Sequence, residues 1–589
     1  MVIVPCVSCA QSEGDSAVSA PPGNEMPGGG TPPDGNPPDG APGGGPGSDA
    51  SSVSWSGATK ISSGTTEDGK TYASTSANEN ALLVDTSDSV TLTNSTVTKS
   101  GGTSSSETDS FYGTNSAVMC KGGGTTTIKN ATVTTSAAGA NGVFCYGGNG
   151  STNATSGDGT TVNISDSTIK TTGDGSGGIM TTGYGTTNAK NLTITTEGQS
   201  SAAIRSDRGG GFVNVDGGTY KTSGVGSPAI YATATIDVKN AALTTTASQG
   251  VVNEGGNTVT LENCTVNASN TKLNSQDYFY NSIFLYQSMS GDASEGASVF
   301  KMTGGTLNST NGHVFHVTST SAAITLEGVD INNTDSENVL ISVCDDAWSS
   351  NGLGNSATLN AKDQTLTGDL LVGSNSSLDL KLSGTSVWTG TTSGKITSHK
   401  NSTTVSSSLG EVNITLADEA LIVLTEDTTV SSISGTGKIN YNGHKLTVGN
   451  KTYTSGSPGV STITETTDKG SDRDNSASED STEESTEKQD QNMTVSASGK
   501  KTYKVSALKK AKKTYKAVTV KNAQGTVTYK VTGNKKSKKY LTFNSKTGKV
   551  TVKKGTPKGT YTLKIKVTAS GNDKYNSSSK TVTVKVKVK

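Results

Sequence analysis

Apolar and polar positions alternate in short bursts along most of this chain, and the bursts repeat. One eleven-residue pattern occurs nine times between residues 90 and 334, as in VTLTNSTVTKS (90–100), VNISDSTIKTT (162–172) and VTLENCTVNAS (259–269). Positions 1 and 3 are mostly apolar, a turn residue follows, and position 8 is apolar again. Period-two alternation predicts a strand, and the break predicts a one-residue bend joining two strands. The bend column reads Asn94, Asn130, Asp166, Asn191, Gly217, Asn240, Asn263, Gly304 and Gly328. These three residue types tolerate left-handed backbone at low cost. The column therefore predicts one such residue at the same place in every repeat, with Asn side chains stacked as a hydrogen-bonding ladder.

A third apolar burst precedes each template: AVMC (117–120), GVFC (142–145), GIMT (178–181), AIRS (203–206), AIYA (229–232), GVVN (250–253) and SIFL (282–285). Starts separated by 21 to 36 residues fit a coil of three strands with loops. These residues resemble the pectate-lyase-like right-handed parallel β-helix superfamily, and within it the adhesin-like surface proteins of gut Gram-positive bacteria. The resemblance covers 51 to about 390 and weakens from there to 456. It implies an all-β chain whose central part is a right-handed parallel β-helix with three strands per coil. The periodicity is specific for fold and not for function.

Composition changes this picture little. Only 30% of residues are hydrophobic, a level that in other chains goes with disorder. A β-helix tolerates it because each strand sends only a few side chains inward. Charge divides the chain more sharply. Residues 492–589 hold 26 Lys and one acid, Asp573, so a net charge of −1 hides two opposed blocks. Four parts follow: an export leader and Pro/Gly-rich spacer (1–50), the β-helix (51–456), an acidic Ser-rich linker (457–491) and a Lys-rich Ig-like β-sandwich (492–589). The segment CVSC resembles a lipobox with Cys9 as the lipidated residue, although Cys6 stands where Leu is usual. No stretch approaches 18 apolar residues. The expected location is extracellular or at the cell surface, with membrane contact only through a lipid on Cys9.

Several residues are candidates for chemistry. Arg205 and Arg208 are two of only three Arg in the chain and flank Asp207. Arg presents a planar fork suited to carboxylates, so the three residues form a candidate ligand site, or a catalytic site if the chain is a polysaccharide lyase. Aligning the third bursts by their inward residues gives Val118, Val143, Ile179, Ile204, Ile230, Val251 and Ile283. The next, outward column is Met119, Phe144, Met180, Arg205, Tyr231, Val252 and Phe284. An exposed apolar stripe of this kind predicts a binding ledge, with Phe144, Met180, Arg205, Arg208, Tyr231 and Phe284 as contacts. The alternative is that a loop such as 271–281 covers it. The same alignment stacks Cys120 on Cys145, spaced for a disulfide or for two buried thiols.

His313, His316, His399 and His444 are too scattered to mark a metal site, and His313 and His316, three apart in a strand, should point to opposite faces. Carboxylates at Asp166, Asp216, Asp237, Glu254, Glu262 and Glu327 fall in different columns, and the Asp345–Asp346 pair lacks an evident partner coil. No cofactor or metal is expected, with Ca²⁺ needed only by a lyase. The expected partners are glycans or host and cell-wall polymers, with an anionic wall polymer at the Lys-rich domain and no specific nucleic acid. The leading expectation is an adhesin-like carbohydrate binder. A lyase or glycoside hydrolase acting on acidic polysaccharide, or a structural stalk, are the alternatives.

Overall fold

The computed structural model describes residues 53–456 and 493–589, apart from short stretches at 104–106, 149–155, 275, 289–292, 350–352, 499–500, 525–526, 533–534, 545–547 and 570–577. The leader with Cys6 and Cys9, the Pro/Gly spacer and the acidic segment 457–491 lie outside the described residues. The chain divides into two compact units, Met1–Thr464 and Glu465–Lys589.

The first unit is a parallel β-helix. One sheet of thirteen strands, here sheet 1, takes one strand from each coil, from Gly57–Ile61 to Thr392–Ser393. A second sheet of twenty-two strands, sheet 2, holds both halves of the repeated template. Pairing in both is parallel and in register. Val118, Val143, Ile179, Ile204, Ile230, Val251 and Ile283 stack in one column, which Phe315, Ile341 and Leu370 continue. These side chains join the inward residues of sheet 2 in a single core running from Ile61 to Leu446. The core is narrow, so alternate residues on short strands fill it.

The bend column has the geometry its residue types demand. Asn94, Asn130, Asp166, Asn191, Asn240 and Asn263 have φ between 50° and 54°, and Gly217, Gly304 and Gly328 between 60° and 75°. The side chains bond from coil to coil: Asn94 Nδ2 to Asp68 Oδ1 at 2.7 Å, Asn130 Nδ2 to Asn94 Oδ1 at 3.4 Å, and Asn191 Nδ2 to Asp166 Oδ1 at 3.3 Å. Where Gly217 interrupts the ladder, Asn240 Nδ2 reaches its neighbour Asp216 Oδ1 at 2.8 Å instead. Asn240→Ala is expected to cost about 1–2 kcal/mol, from left-handed strain plus the lost bond. Asn240→Gly should cost less, and urea unfolding midpoints of the two variants check this order.

Cys120 and Cys145 pair across sheet 1, but both are free, buried thiols. The disulfide, one of the two expected arrangements, is not formed. Burial pushes the Cys120 thiol up to about 12, and burial together with Cys120 pushes Cys145 further up. Neither is a nucleophile at neutral pH.

The second unit contains sheets of two, four and three strands. Two of its short segments, Val505–Lys510 and Lys535–Tyr540, are helical. Ala, Leu and Lys are strong helix formers, and the Ala511 N–H bonds to Ala507 O at the end of the first of these helices.

Candidate functional site

The outward column of sheet 1 lies in the expected register, with Met119, Phe144, Met180, Arg205, Tyr231, Val252 and Phe284 side by side. It is not an exposed ledge. Phe144 and Met180 are fully buried, Phe284 and Val252 are buried, and Tyr231 is half-buried. A helix, α1 (Glu107–Tyr112), brings Phe111 and Tyr112 onto Met119, Phe144 and Met180, with Val53 and Trp55 packed beside them. Trp348 and Tyr286 join Val252, Phe284 and Tyr231 further along. Apolar side chains facing outward were covered by the chain's own loops, as burial favours.

The Arg205 site is also closed. Its Nη2 sits 2.9 Å from Asp207 Oδ2, with side-chain exposures of 6% and 2%. Arg205 Nη1 donates to Ser200 O at 3.3 Å, and Asp207 Oδ1 accepts the Arg208 N–H at 3.1 Å. The Phe111 ring lies 5.8 Å from the Arg205 guanidinium and 4.1 Å from that of Arg208. The Arg205 fork is turned inward, and both guanidiniums hold α1 to the coils through cation–π contacts with Phe111.

Three of the four histidines, His313, His316 and His399, converge, contrary to the expectation of scatter. His313 Nδ1 and His316 Nδ1 both reach Ser342 Oγ, at 2.7 and 2.8 Å. Strict alternation fails because Val314 and Phe315, consecutive residues, both sit in the core. The backbone turns a corner there, which leaves His313 and His316 on one side. Ser342 has a single proton, so it donates to one imidazole and accepts from the other. His316 Nε2 lies 3.2 Å from Asp346 Oδ2, which assigns the chain: His313 N–H to Ser342, Ser342 O–H to His316, His316 N–H to Asp346. The Ser–His–Asp connectivity resembles a nucleophile relay. However, Ser342 is fully buried, its proton is held by His316 and one lone pair by His313, so the relay is structural.

This network anchors a hairpin, Lys395–Thr397 paired antiparallel with Thr404–Ser407. Asp346 Oδ2 also accepts the Tyr278 N–H at 3.1 Å. His399 N donates to Tyr278 O at 2.9 Å, and Tyr280 N to His399 Nδ1 at 3.0 Å. Phe279 lies among the rings of His313, His316 and His399, with centroids 4.9 to 5.5 Å away. Asp277 is buried close by and accepts from Gln249 and Trp348, both at 3.0 Å.

Beside the hairpin runs an open groove of about 760 Å³ on the outer face of the last coils of sheet 1. Glu337, Asp369, Glu426 and Asp427 line it with His313 and Lys395, and Leu371, Ile396 and Leu409 supply short apolar patches. Burial raises the Asp369 carboxyl above its ordinary range; the Thr391 N–H, 3.0 Å from Oδ1, lowers it in part and Glu426 adds to the rise. None of these four carboxylates stood out in the sequence, because they come from three segments up to 90 residues apart.

The ligand atoms of His313, Glu337 and His399 lie within 4.8 Å of one another, the only such set among the described residues. The set does not fit a metal ion. A ligating imidazole donates its other N–H to a partner, but His399 Nδ1 accepts the Tyr280 N–H. Its proton is therefore on Nε2 and points at Glu337 Oε2, 2.9 Å away. A metal there would have to expel that proton.

Opposed titrations give the cluster a pH signature. Burial and Asp346 push Asp277 up to about 6, so its contribution to stability grows as pH falls through 6 towards 4. Burial pulls His313 down to about 4, so its contribution is present above 6.5 and lost on the way to 4. Asp277→Asn removes the compensating gain. Its stability should fall more steeply than wild type between pH 6 and 4, as measured by thermal unfolding across that range.

Comparisons with protein-family models, with curated proteins and with solved structures find no match to this chain.

Proposed function

We propose that this protein is an adhesin-like carbohydrate binder that holds a neutral or amino-sugar polymer in the groove at the end of sheet 1. The observation that carries the reading is the groove itself: open, about 760 Å³ in volume and lined by carboxylates and hydroxyls together with short aliphatic side chains. Carboxylates accept paired hydrogen bonds from neighbouring sugar hydroxyls, and aliphatic patches match the C–H faces of sugar rings. Acidic glycans fit poorly, because Glu337, Asp369, Glu426 and Asp427 would repel them and Arg205 faces inward. We place the fold in the pectate-lyase-like right-handed superfamily, supported by the three-strand coil and the Asn ladder. Surface display through a lipid on Cys9 completes the reading.

One observation favours hydrolysis as a second reading. Asp369, whose carboxyl is raised by burial and by Glu426, sits beside a second carboxylate in the groove, the pairing a general acid needs. A glycan array probed with the full chain, alongside an Asp369→Asn/Glu426→Gln variant, tests both. Binding of neutral or amino sugars that the variant loses supports the binder, release of new reducing ends supports the hydrolase, and binding confined to uronic acids contradicts both.

A further inference from the structure

In the four-stranded sheet of the second unit, Gly559–Ala569 and Ser578–Val588 pair antiparallel, and over 560–567 and 581–588 their side chains alternate between the core and the outer face. Tyr561, Leu563, Ile565 and Val567, with Val584, Val586 and Val588, are buried in that unit's core. Facing away from it are Thr560, Thr562, Lys564 and Lys566 on one strand and Thr581, Thr583, Lys585 and Lys587 on the other. Lys564, Lys566 and Lys585 are exposed and Lys587 is half-exposed. The register sets each Lys opposite a Thr: Lys587 opposite Thr560, Lys585 opposite Thr562, Lys564 opposite Thr583, Lys566 opposite Thr581. Each rung of this strand pair thus carries one ammonium, Lys530 of the adjoining strand Val527–Thr532 stands opposite Lys566, and rungs follow at about 7 Å, two residues of strand rise. The result is a line of four charges about 20 Å long. No described residue of this unit is acidic.

We propose that this Lys/Thr face binds a linear polyol-phosphate polymer, one in which phosphodiesters link short polyols without bases, with one phosphate to each rung. Charge complementarity and spacing carry the assignment. Lys is a point charge suited to single phosphates, and Thr hydroxyls between them supply further donors. A nucleic acid fits less well: residues 492–589 contain no Arg, and the face has no aromatic ring for bases to stack on. A lipid surface would need an apolar wedge, and no large exposed hydrophobic side chain lies among the described residues of this unit. The chain's own acidic segment, 457–491, has ten acidic and three basic residues, too few to neutralise 26 Lys.

The test uses the full chain and synthetic poly(glycerol phosphate), with affinity measured at 50 and 200 mM NaCl. Lys564→Gln/Lys566→Gln/Lys585→Gln/Lys587→Gln should weaken binding at least tenfold and flatten its salt dependence. The control Lys509→Gln/Lys510→Gln/Lys553→Gln/Lys554→Gln, exposed lysines away from this face, should change affinity less than threefold. Equal loss in both variants would show a general charge effect and overturn the face. Tighter binding to single-stranded DNA or to phosphatidylglycerol vesicles at equal phosphate would overturn the ligand. Binding that emerges only when the acids of 457–491 are changed to Asn and Gln would assign the face to that segment instead.

Discussion

Arg205→Ala is expected to destabilise the β-helix by about 3–5 kcal/mol, because it breaks a buried ion pair and takes from Asp207 the cation that balances its charge. The pair is 2.9 Å apart and almost wholly screened from water. The guanidinium also lies between Phe111 and Tyr231, 5.8 and 6.0 Å from their rings, so its loss opens a gap beneath α1. The Arg205→Ala/Asp207→Ala double variant removes the uncompensated charge and should recover part of the loss. Chemical denaturation of the four chains of this cycle gives the coupling directly. Limited proteolysis should show early cleavage between 101 and 116 in Arg205→Ala alone. A ligand-contact role predicts unchanged stability instead.

Asp346→Ala should have an effect of about 3 kcal/mol, with a functional consequence. The substitution strands the Tyr278 N–H and the His316 N–H, which Asp346 Oδ2 now accepts at 3.1 and 3.2 Å, and each buried orphan donor costs about 1–3 kcal/mol. Tyr278 O in turn holds the backbone of His399, so the hairpin 395–407 loses an anchor. Ile396 and Lys395 from that hairpin line the groove. Faster hydrogen exchange at 395–407 and weaker ligand binding should therefore appear together. Exchange unchanged at the hairpin would separate Asp346 from the groove.

The stacking was legible because it is written as a period. Asn and Gly at one position in each repeat require left-handed backbone, and the third bursts align by parity alone, so the register of sheet 1 follows from Val118 to Ile283. What covers that sheet was not legible. The segment carrying Phe111 and the hairpin carrying His399 belong to no repeat, and nothing periodic says where a loop folds back. Parity also misled at His313 and His316, because a corner between Val314 and Phe315 places two successive residues in the core. The groove escaped for a third reason. Glu337, Asp369 and Glu426 come to line one groove only after the chain has wound through several coils, and carboxylates on separate segments carry no local signature. The Arg205 cluster was conspicuous for its rarity, and burial gave that rarity a structural use.

Calorimetric titration of the full chain with a neutral or amino-sugar oligosaccharide, before and after Asp369→Asn/Glu426→Gln, tests the central claim most directly. Saturable binding by the wild type and at least a tenfold loss in the variant, with an unchanged unfolding midpoint, is the predicted result. Binding that survives the double substitution, or that needs uronic acid residues in the ligand, would contradict the groove as the site.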